Sequence, residues 1–426
     1  MDRRMIAIFS EGDYGIENIA QIADGNPGVG GSEYLLLQLF YYVRKYHPEC
    51  KISFMTTDYH LKGDNVVHVK DAEDVLDKMG DSGSRILIFI PKNRKPPFYR
   101  KLEEKGVIGI AWVHNFMDYR VMDCLEKSKA VKRVIFVGRQ HYDTYIDTEL
   151  IKKSDYIYNM VGEKEYRYIP IEEKENIVTY VGGLIPTKGF HKLASVWKKV
   201  LKEVPDAKLY VIGSGNLYDR DEKLGSRGIT SARYEEKLVK YLSDSKGELD
   251  PSVHFFGRIG QEKEDILYQT KVGVANPTGK SETFCLSAVE FKMQGVPVVS
   301  YRGKGLLDTV RDNADGKLIR TKRQLGRSII ELLRDDARNA KFGYEGYQNG
   351  SRAFRPDVVV EEWMRVFSEI ENDKEPVIHE PDNHLEDNFK WLRVWNYRLK
   401  QWTGGHWKSL AYLVSYGKEM IKGIIR

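Results

Sequence analysis

Cysteine is scarce: Cys50, Cys124 and Cys285 are an odd number, widely scattered, and form no CxxC pair. A disulfide framework and a zinc site are therefore both disfavoured, and a reducing cytosol fits best. Long hydrophobic runs are also missing. Nowhere do eighteen apolar residues follow one another, so no membrane-spanning helix is expected. The N-terminal "MIAIF", Met5 to Phe9, is too short for the apolar core of a signal peptide and reads as a first strand. No internal repeat or low-complexity tract stands out. The formal net charge is only +5, and no nucleic-acid partner is expected. Acid is nearly absent from one place: Asn388 to Arg426 holds eight Lys/Arg and one Glu, a net of +7, while the rest nets −2.

What is present is an ordinary globular composition, 41% hydrophobic and 30% charged, over 426 residues, which is more than one core usually organises. Short β-rich runs alternate with amphipathic stretches. "MIAIF", "KISFMT", "RILIFI", "VIGIAWVH" and "RVIFVG" form one set, and "NIVTYVGG", "AKLYVIGSG", "VHFFGR", "VGVANP" and "VPVVSY" a second. Strands separated by helices argue for an α/β protein with two parallel sheets. The charged "IEEKEN", Ile171 to Asn176, reads as the join. The expected division is 1–170, then 171–371 with a last helix from about 356, a linker over 372–387, and a tail over 388–426. Val359, Trp363, Val366, Phe367 and Ile370 share one apolar face of that last helix.

Three stretches carry chemistry. In "SETFCLSAVE", Ser281 to Glu290, two glutamates lie eight positions apart. On one helix they would stand about 80° apart around the axis and roughly 12 Å along it, too far to share a proton. They would suit the two ends of an elongated ligand. A helix starting near Ser281 to Thr283, with a hydroxyl N-cap, would aim the N–H groups around Phe284, Cys285 and Leu286 at a phosphate between them. Sugar, phosphate and ribose in a row describe a nucleotide sugar. The plain alternative is that Glu290 is a solvated helix residue and Glu282 a loop charge.

In "YVGGLIPTKGF", Tyr180 to Phe190, a strand ends in glycines and Lys188 precedes a helix, where it could neutralise a departing diphosphate. Many surface turns carry Lys-Gly, so this stretch alone is weak. In "NPGVGGSEY", Gly28, Gly30 and Gly31 put unhindered N–H groups before a helix, another anion cradle. Its glycine spacing is not the dinucleotide fingerprint, which disfavours a nicotinamide enzyme. "DRD", Asp219 to Asp221, could hold a divalent cation on a diphosphate. With Lys188 and a helix N-terminus available, neither metal nor cofactor is required.

The order of these motifs, followed by "GSG", "FFGR" and "GVPVVSY", resembles the family 4 retaining glycosyltransferases of the GT-B fold, from about Met5 to Glu371. The resemblance implies two Rossmann-like domains facing across a cleft, with a nucleotide-diphosphate sugar, expected to be a UDP-sugar, as donor substrate. It implies that Glu290 binds the ribose and Glu282 the donor sugar. Lys188 and the amides of Phe284, Cys285 and Leu286 would hold the diphosphate, Gly30 and Gly31 would close over it, and Arg258 and Ile259 would read the base. His114 would contact the donor sugar, so Glu282, Lys188 and His114 are the expected catalytic set. Two positions depart from the family: Gly183 stands where arginine is common, and Cys285 where glycine is common. Arg258 or Lys280 would have to replace the missing cation. A catalytically silent subunit that binds glycan or protein partners and a nucleotide-sugar epimerase are the rival readings.

The tail holds Trp391, Trp395, Trp402 and Trp407. Leu392, Trp395, Leu399 and Trp402 share one helical face, away from Lys390, Arg393 and Lys400. Beyond Gly404-Gly405, Leu410, Leu413, Val414, Ile421 and Ile424 share another, with Lys418 and Lys422 on the polar side. Basic amphipathic helices rich in tryptophan anchor to anionic membranes. The expectation is a cytoplasmic protein, peripheral at the inner face of the membrane, with a glycan or lipid-linked glycan as acceptor. Packing on the N-terminal domain, or on a second subunit in an oligomer, is the alternative.

Overall fold

The computed structural model describes residues 5–26, 29–82, 84–163, 169–216, 223–260 and 262–425. Contacts divide the chain into two units: 1–23 with 31–160 and 356–426, and 24–30 with 161–355.

Among the described residues the first unit holds seven strands: β1 (Met5–Ser10), β2 (Ile52–Thr56), β3 (Val66–His68), β4 (Ser84–Phe89), β5 (Ile108–Val113), β6 (Val131–Phe136) and β7 (Ser154–Tyr156). They pair in parallel in the order β3-β2-β1-β4-β5-β6-β7. A parallel sheet needs a crossover between neighbours, so helices cover its faces and central strands read as unbroken apolar runs. Ile86, Leu87, Ile88 and Phe89 of β4 are accordingly fully buried.

The second unit holds β8 (Ile177–Val181), β9 (Lys208–Ile212), β10 (Val253–Gly257), β11 (Val272–Ala275), β12 (Val298–Tyr301) and β13 (Gly316–Ile319). Their order is β10-β9-β8-β11-β12-β13, again parallel. The order reverses between β8 and β11, so the loops leaving these two strands splay to opposite sides and open a crevice at their carboxyl ends. Phe190, Leu193 and Trp197 of the Phe190–Glu203 helix fill the core on one face, and Ala288 and Phe291 of the Leu286–Met293 helix fill it on the other.

After Arg355 the chain returns to the first unit. The Pro356–Glu371 helix buries Val359, Trp363, Val366, Phe367 and Ile370, the face its sequence marks out, and Trp363 meets Trp112 edge-on at 4.8 Å. Arg365 reaches the buried Asp155 at 2.7 Å, and His379 reaches the same carboxylate at 2.8 Å. The tail forms the Lys390–Thr403 and Leu410–Ile425 helices, interrupted after Thr403. Both are docked on the first unit. Lys390, expected away from the apolar face, is buried against Asp143 and Asp382, whose carboxylates supply its counter-charges. Asp147 accepts from Asn396 Nδ2 and from the Leu410 amide, each at 2.7 Å, and Tyr397 enters the core.

Candidate active site

The crevice of the second unit is lined by two loops. The first runs from β8 through Gly182 and Gly183 to a short turn, Pro186–Lys188. Tyr180 reaches up from β8 to hold it, donating to the Gly183 and Lys188 carbonyls at 3.3 and 3.1 Å. Gly189 then has φ +81°, and a Cβ there would lie 2.5 Å from Thr278, so the loops touch where only glycine fits.

The second loop, from β11 to the Leu286–Met293 helix, is wound around Asn276. The Asn276 amide oxygen accepts from the Gly279 amide at 3.1 Å and from Thr278 Oγ1 at 2.8 Å. Its Nδ2 donates to Glu282 Oε2 at 2.8 Å. Lys188 Nζ meets the same oxygen at 2.9 Å, with only 21% and 10% of the two side chains exposed. Two residues 94 positions apart are thus brought together in the crevice. Their charges neutralise each other, so a diphosphate drawing the ammonium away would leave the carboxylate to accept from hydroxyls.

The helix begins later than its sequence suggests. Leu286 is its first residue and Cys285 its N-cap, with φ +82° and no side-chain cap bond, instead of a hydroxyl cap near Ser281 to Thr283. A left-handed residue cannot continue a helix, and Asn276 bonds the preceding loop into its own shape. Glu282 therefore lies on the loop, and the eight-residue helical spacing to Glu290 does not apply. Gly305 packs against this loop so closely that a Cβ would lie 2.2 Å from the Thr283 carbonyl carbon. Phe284 is buried edge-on to Phe354 at 5.4 Å. Burial, then the charge of Glu282, pushes the Cys285 thiol up to about 12, which leaves it an inert thiol.

Glu290, on the second turn of the helix, pairs with Lys263 of the Lys263–Gln269 helix at 2.7 Å, both side chains under one-fifth exposed. Burial opposes the charge on Lys263, but Glu290 more than offsets it, so its pKa is raised. Ile259, just beyond β10, packs on the cluster containing Cys285 and Ala288, while Arg258 beside it is exposed.

In the first unit His114 follows β5, 6% exposed, its ring 4.5 Å from that of Trp112. Burial pushes it down to about 3, and burial together with the charge of His114 does the same to His141 on the Arg139–Asp143 helix. Gly31 opens the Gly31–Tyr46 helix and Gly30 precedes it. At this sheet's own reversal, Arg94 makes a two-pronged pair with Glu11 at 3.1 and 2.9 Å. Lys263, His141, Arg94 and Asn276 were not singled out from sequence. A position just past a parallel strand is the signal that could have found Asn276, whereas His141 lies on a short helix five residues beyond β6 and "EKED" reads as a solvated run. Asp219 to Asp221 lie outside the described residues, among which no cluster of three metal-ligating side chains occurs.

A family model described as "Glycosyl transferases group 1" matches residues 163–349, less than half the chain and almost all of the second unit. A poly(glycerol-phosphate) alpha-glucosyltransferase of Bacillus subtilis is 27% identical over 205 residues, 47% of this chain and 27% of the relative. A poly(ribitol-phosphate) alpha-N-acetylglucosaminyltransferase of Staphylococcus aureus is 24% identical over 199 residues, 46% of this chain and 36% of the relative. The chain thus spans about a quarter to a third of the length of these curated relatives. A sucrose-phosphate synthase of Thermosynechococcus elongatus aligns over 87% of this chain and 100% of its own, with TM-score 0.66 and 18% identity. Anabaena HepE, solved with UDP and glucose, aligns over 86% of this chain and 100% of its own, with TM-score 0.60 and 14% identity. With two parallel Rossmann-like sheets of this order, the chain has the two-domain α/β GT-B fold.

Proposed function

We propose that the protein is a metal-independent, retaining glycosyltransferase that moves a sugar from a nucleotide-diphosphate sugar, a UDP-sugar in the first instance, to a glycan acceptor. The observation that carries this reading is the Lys188–Glu282 pair at the β8/β11 crevice, with Glu290 held by Lys263 on the adjoining helix. The segment that builds it is the one the group 1 model matches. Glu290 accepts from the ribose hydroxyls and Glu282 from hydroxyls of the donor sugar. Lys188 and the amides around Phe284, Cys285 and Leu286 take the diphosphate, with Ile259 and Arg258 beside the base. His114, Gly30 and Gly31 complete the donor contacts. The anomeric carbon's bond to the diphosphate breaks as the acceptor hydroxyl oxygen bonds to that carbon, and the hydroxyl proton passes to the departing diphosphate oxygen. Charge grows on the leaving group, and Lys188 counts most there.

The acceptor in this reading is a surface-polymer intermediate carried on a lipid at the cytoplasmic face. The curated relatives' names support the polymer: two name poly(glycerol-phosphate) and poly(ribitol-phosphate), and a third, from Erwinia amylovora, is an amylovoran biosynthesis glycosyltransferase, 22% identical over 243 residues. Incubation with radiolabelled nucleotide sugars, with and without acceptor, tests it. Slow hydrolysis of one donor alone and label in the polymer with acceptor are expected. A changed sugar without acceptor means an epimerase, and neither reaction means the silent subunit that Gly183 and Cys285 suggest. Glu290→Ala should weaken donor binding by ~1.5–3 kcal/mol, the range for a charge-assisted hydrogen bond. Calorimetric affinity within twofold of the parent would remove Glu290 from the ribose.

A further inference from the structure

Nine of the seventeen exposed large hydrophobic residues among the described residues fall between Trp391 and Ile421. On the Lys390–Thr403 helix, Trp391, Trp395 and Trp402 are 52%, 61% and 84% exposed. Steps of four and seven residues set them on one stripe, with Arg398 between. Lys390, Val394, Asn396 and Tyr397, on the other side, are the buried ones. On the Leu410–Ile425 helix, Leu413, Val414, Met420 and Ile421 face outward, each more than half exposed. Tyr412 and Tyr416 instead meet Tyr119 edge-on at 5.6 and 5.4 Å. Each helix is held along one side and bare along the other.

The charges sort the same way. Glu419, the one acid between Asn388 and Arg426, turns to Arg120 at 3.3 Å. Lys390 is buried, and Lys400 donates inward to the Asp147 carbonyl at 2.8 Å. Arg398, Lys408 and Lys418 remain exposed beside the apolar stripes. A second copy would present the same positive charge to itself. An anionic surface complements both the cations and the tryptophans, whose rings suit the boundary between headgroups and acyl chains. No helix among the described residues is long and apolar enough to cross a membrane.

We infer that the outward stripes of these two helices form a ready-folded docking surface for an anionic phospholipid bilayer. Asp147 clamps both helices before lipid is met, through Asn396 and the Leu410 amide, so binding does not have to order them. This surface stands apart from the transfer reaction, and its test involves no sugar.

The test is sedimentation of the full chain with vesicles of equimolar phosphatidylglycerol and phosphatidylcholine, against phosphatidylcholine alone. Binding to the first only, with tryptophan emission quenched by brominated acyl chains, is expected. Trp395→Glu with Trp402→Glu, or Leu413→Glu with Ile421→Glu, should lower the bound fraction about tenfold or more, since each puts acid into the apolar stripe. The thermal midpoint should not change. Arg398→Glu with Lys418→Glu should make the remaining binding vanish at lower salt. The inference is overturned if the full chain ignores anionic vesicles, or if the stripe variants bind like the parent. It is equally overturned if sedimentation equilibrium finds a dimer that the tryptophan variants dissociate, because a second copy then covers the stripe.

Discussion

His114 and His141 are bases that the fold keeps neutral. Both are pushed down to about 3, while an unfolded histidine titrates near 6.5. Below pH 6.5 the unfolded chain gains protons that the folded chain refuses until about pH 3. Stability should therefore be unaffected by these groups above pH 6.5 and fall as pH falls from 6.5 towards 3. The slope is at most ~1.4 kcal/mol per pH unit for each histidine. Urea unfolding of the parent and of His141→Asn at several pH values checks this: the variant should lose about one histidine's share of the slope. A parallel profile would show that His141 is hydrated in the folded state. At this scale the sequence was partly legible. Lys188 and Glu282 stand out because they sit among glycine or small residues in the loops after β8 and β11, and Glu290 because it follows Glu282 by eight positions. Lys263 did not, because its partner is 27 positions away and only the fold of the second sheet brings them to 2.7 Å.

The helices and strands were legible wherever burial leaves an apolar run, which is why ten strands coincide with runs seen in the sequence. β3, β7 and β13 did not declare themselves: they are three or four residues long, lie at the sheet edges and are partly exposed, so no pattern accumulates. The start of the Leu286–Met293 helix was misplaced because a left-handed Cys285 is a choice of the tertiary fold, not of local propensity. That start is defended by Gly305. Gly305→Ala would drive a methyl into the Thr283 carbonyl carbon, 2.2 Å away, and displace the loop that carries Glu282. A clash with backbone has no flexible end to yield. The variant should lose ~1–3 kcal/mol of stability, the usual cost of overpacking, and donor affinity should drop with it. Calorimetry that finds UDP affinity unchanged in a destabilised variant would separate the loop from the nucleotide.

For the whole molecule, the amphipathic tail was legible as helices but not as part of a folded unit, because the carboxylates that receive it lie some 250 positions upstream. Asp143 and Asp147 are buried and receive Lys390, Asn396 and the Leu410 amide, and Val394 and Tyr397 are buried beside them. Ending the chain at Asp387 uncovers this surface. Each large apolar side chain returned to water costs about 1.5–3 kcal/mol, so removing two should destabilise the first unit by roughly 3–6 kcal/mol. The second unit, 161–355 with 24–30, contains none of these groups. Scanning calorimetry should then show one transition moved down and another unmoved. The unmoved one should rise more when UDP is added, since a ligand stabilises most the unit that makes most of its contacts. If UDP instead shifts the lower transition more than the other, nucleotide binding draws chiefly on the first unit, and Lys188 and Glu290 are not its main holders.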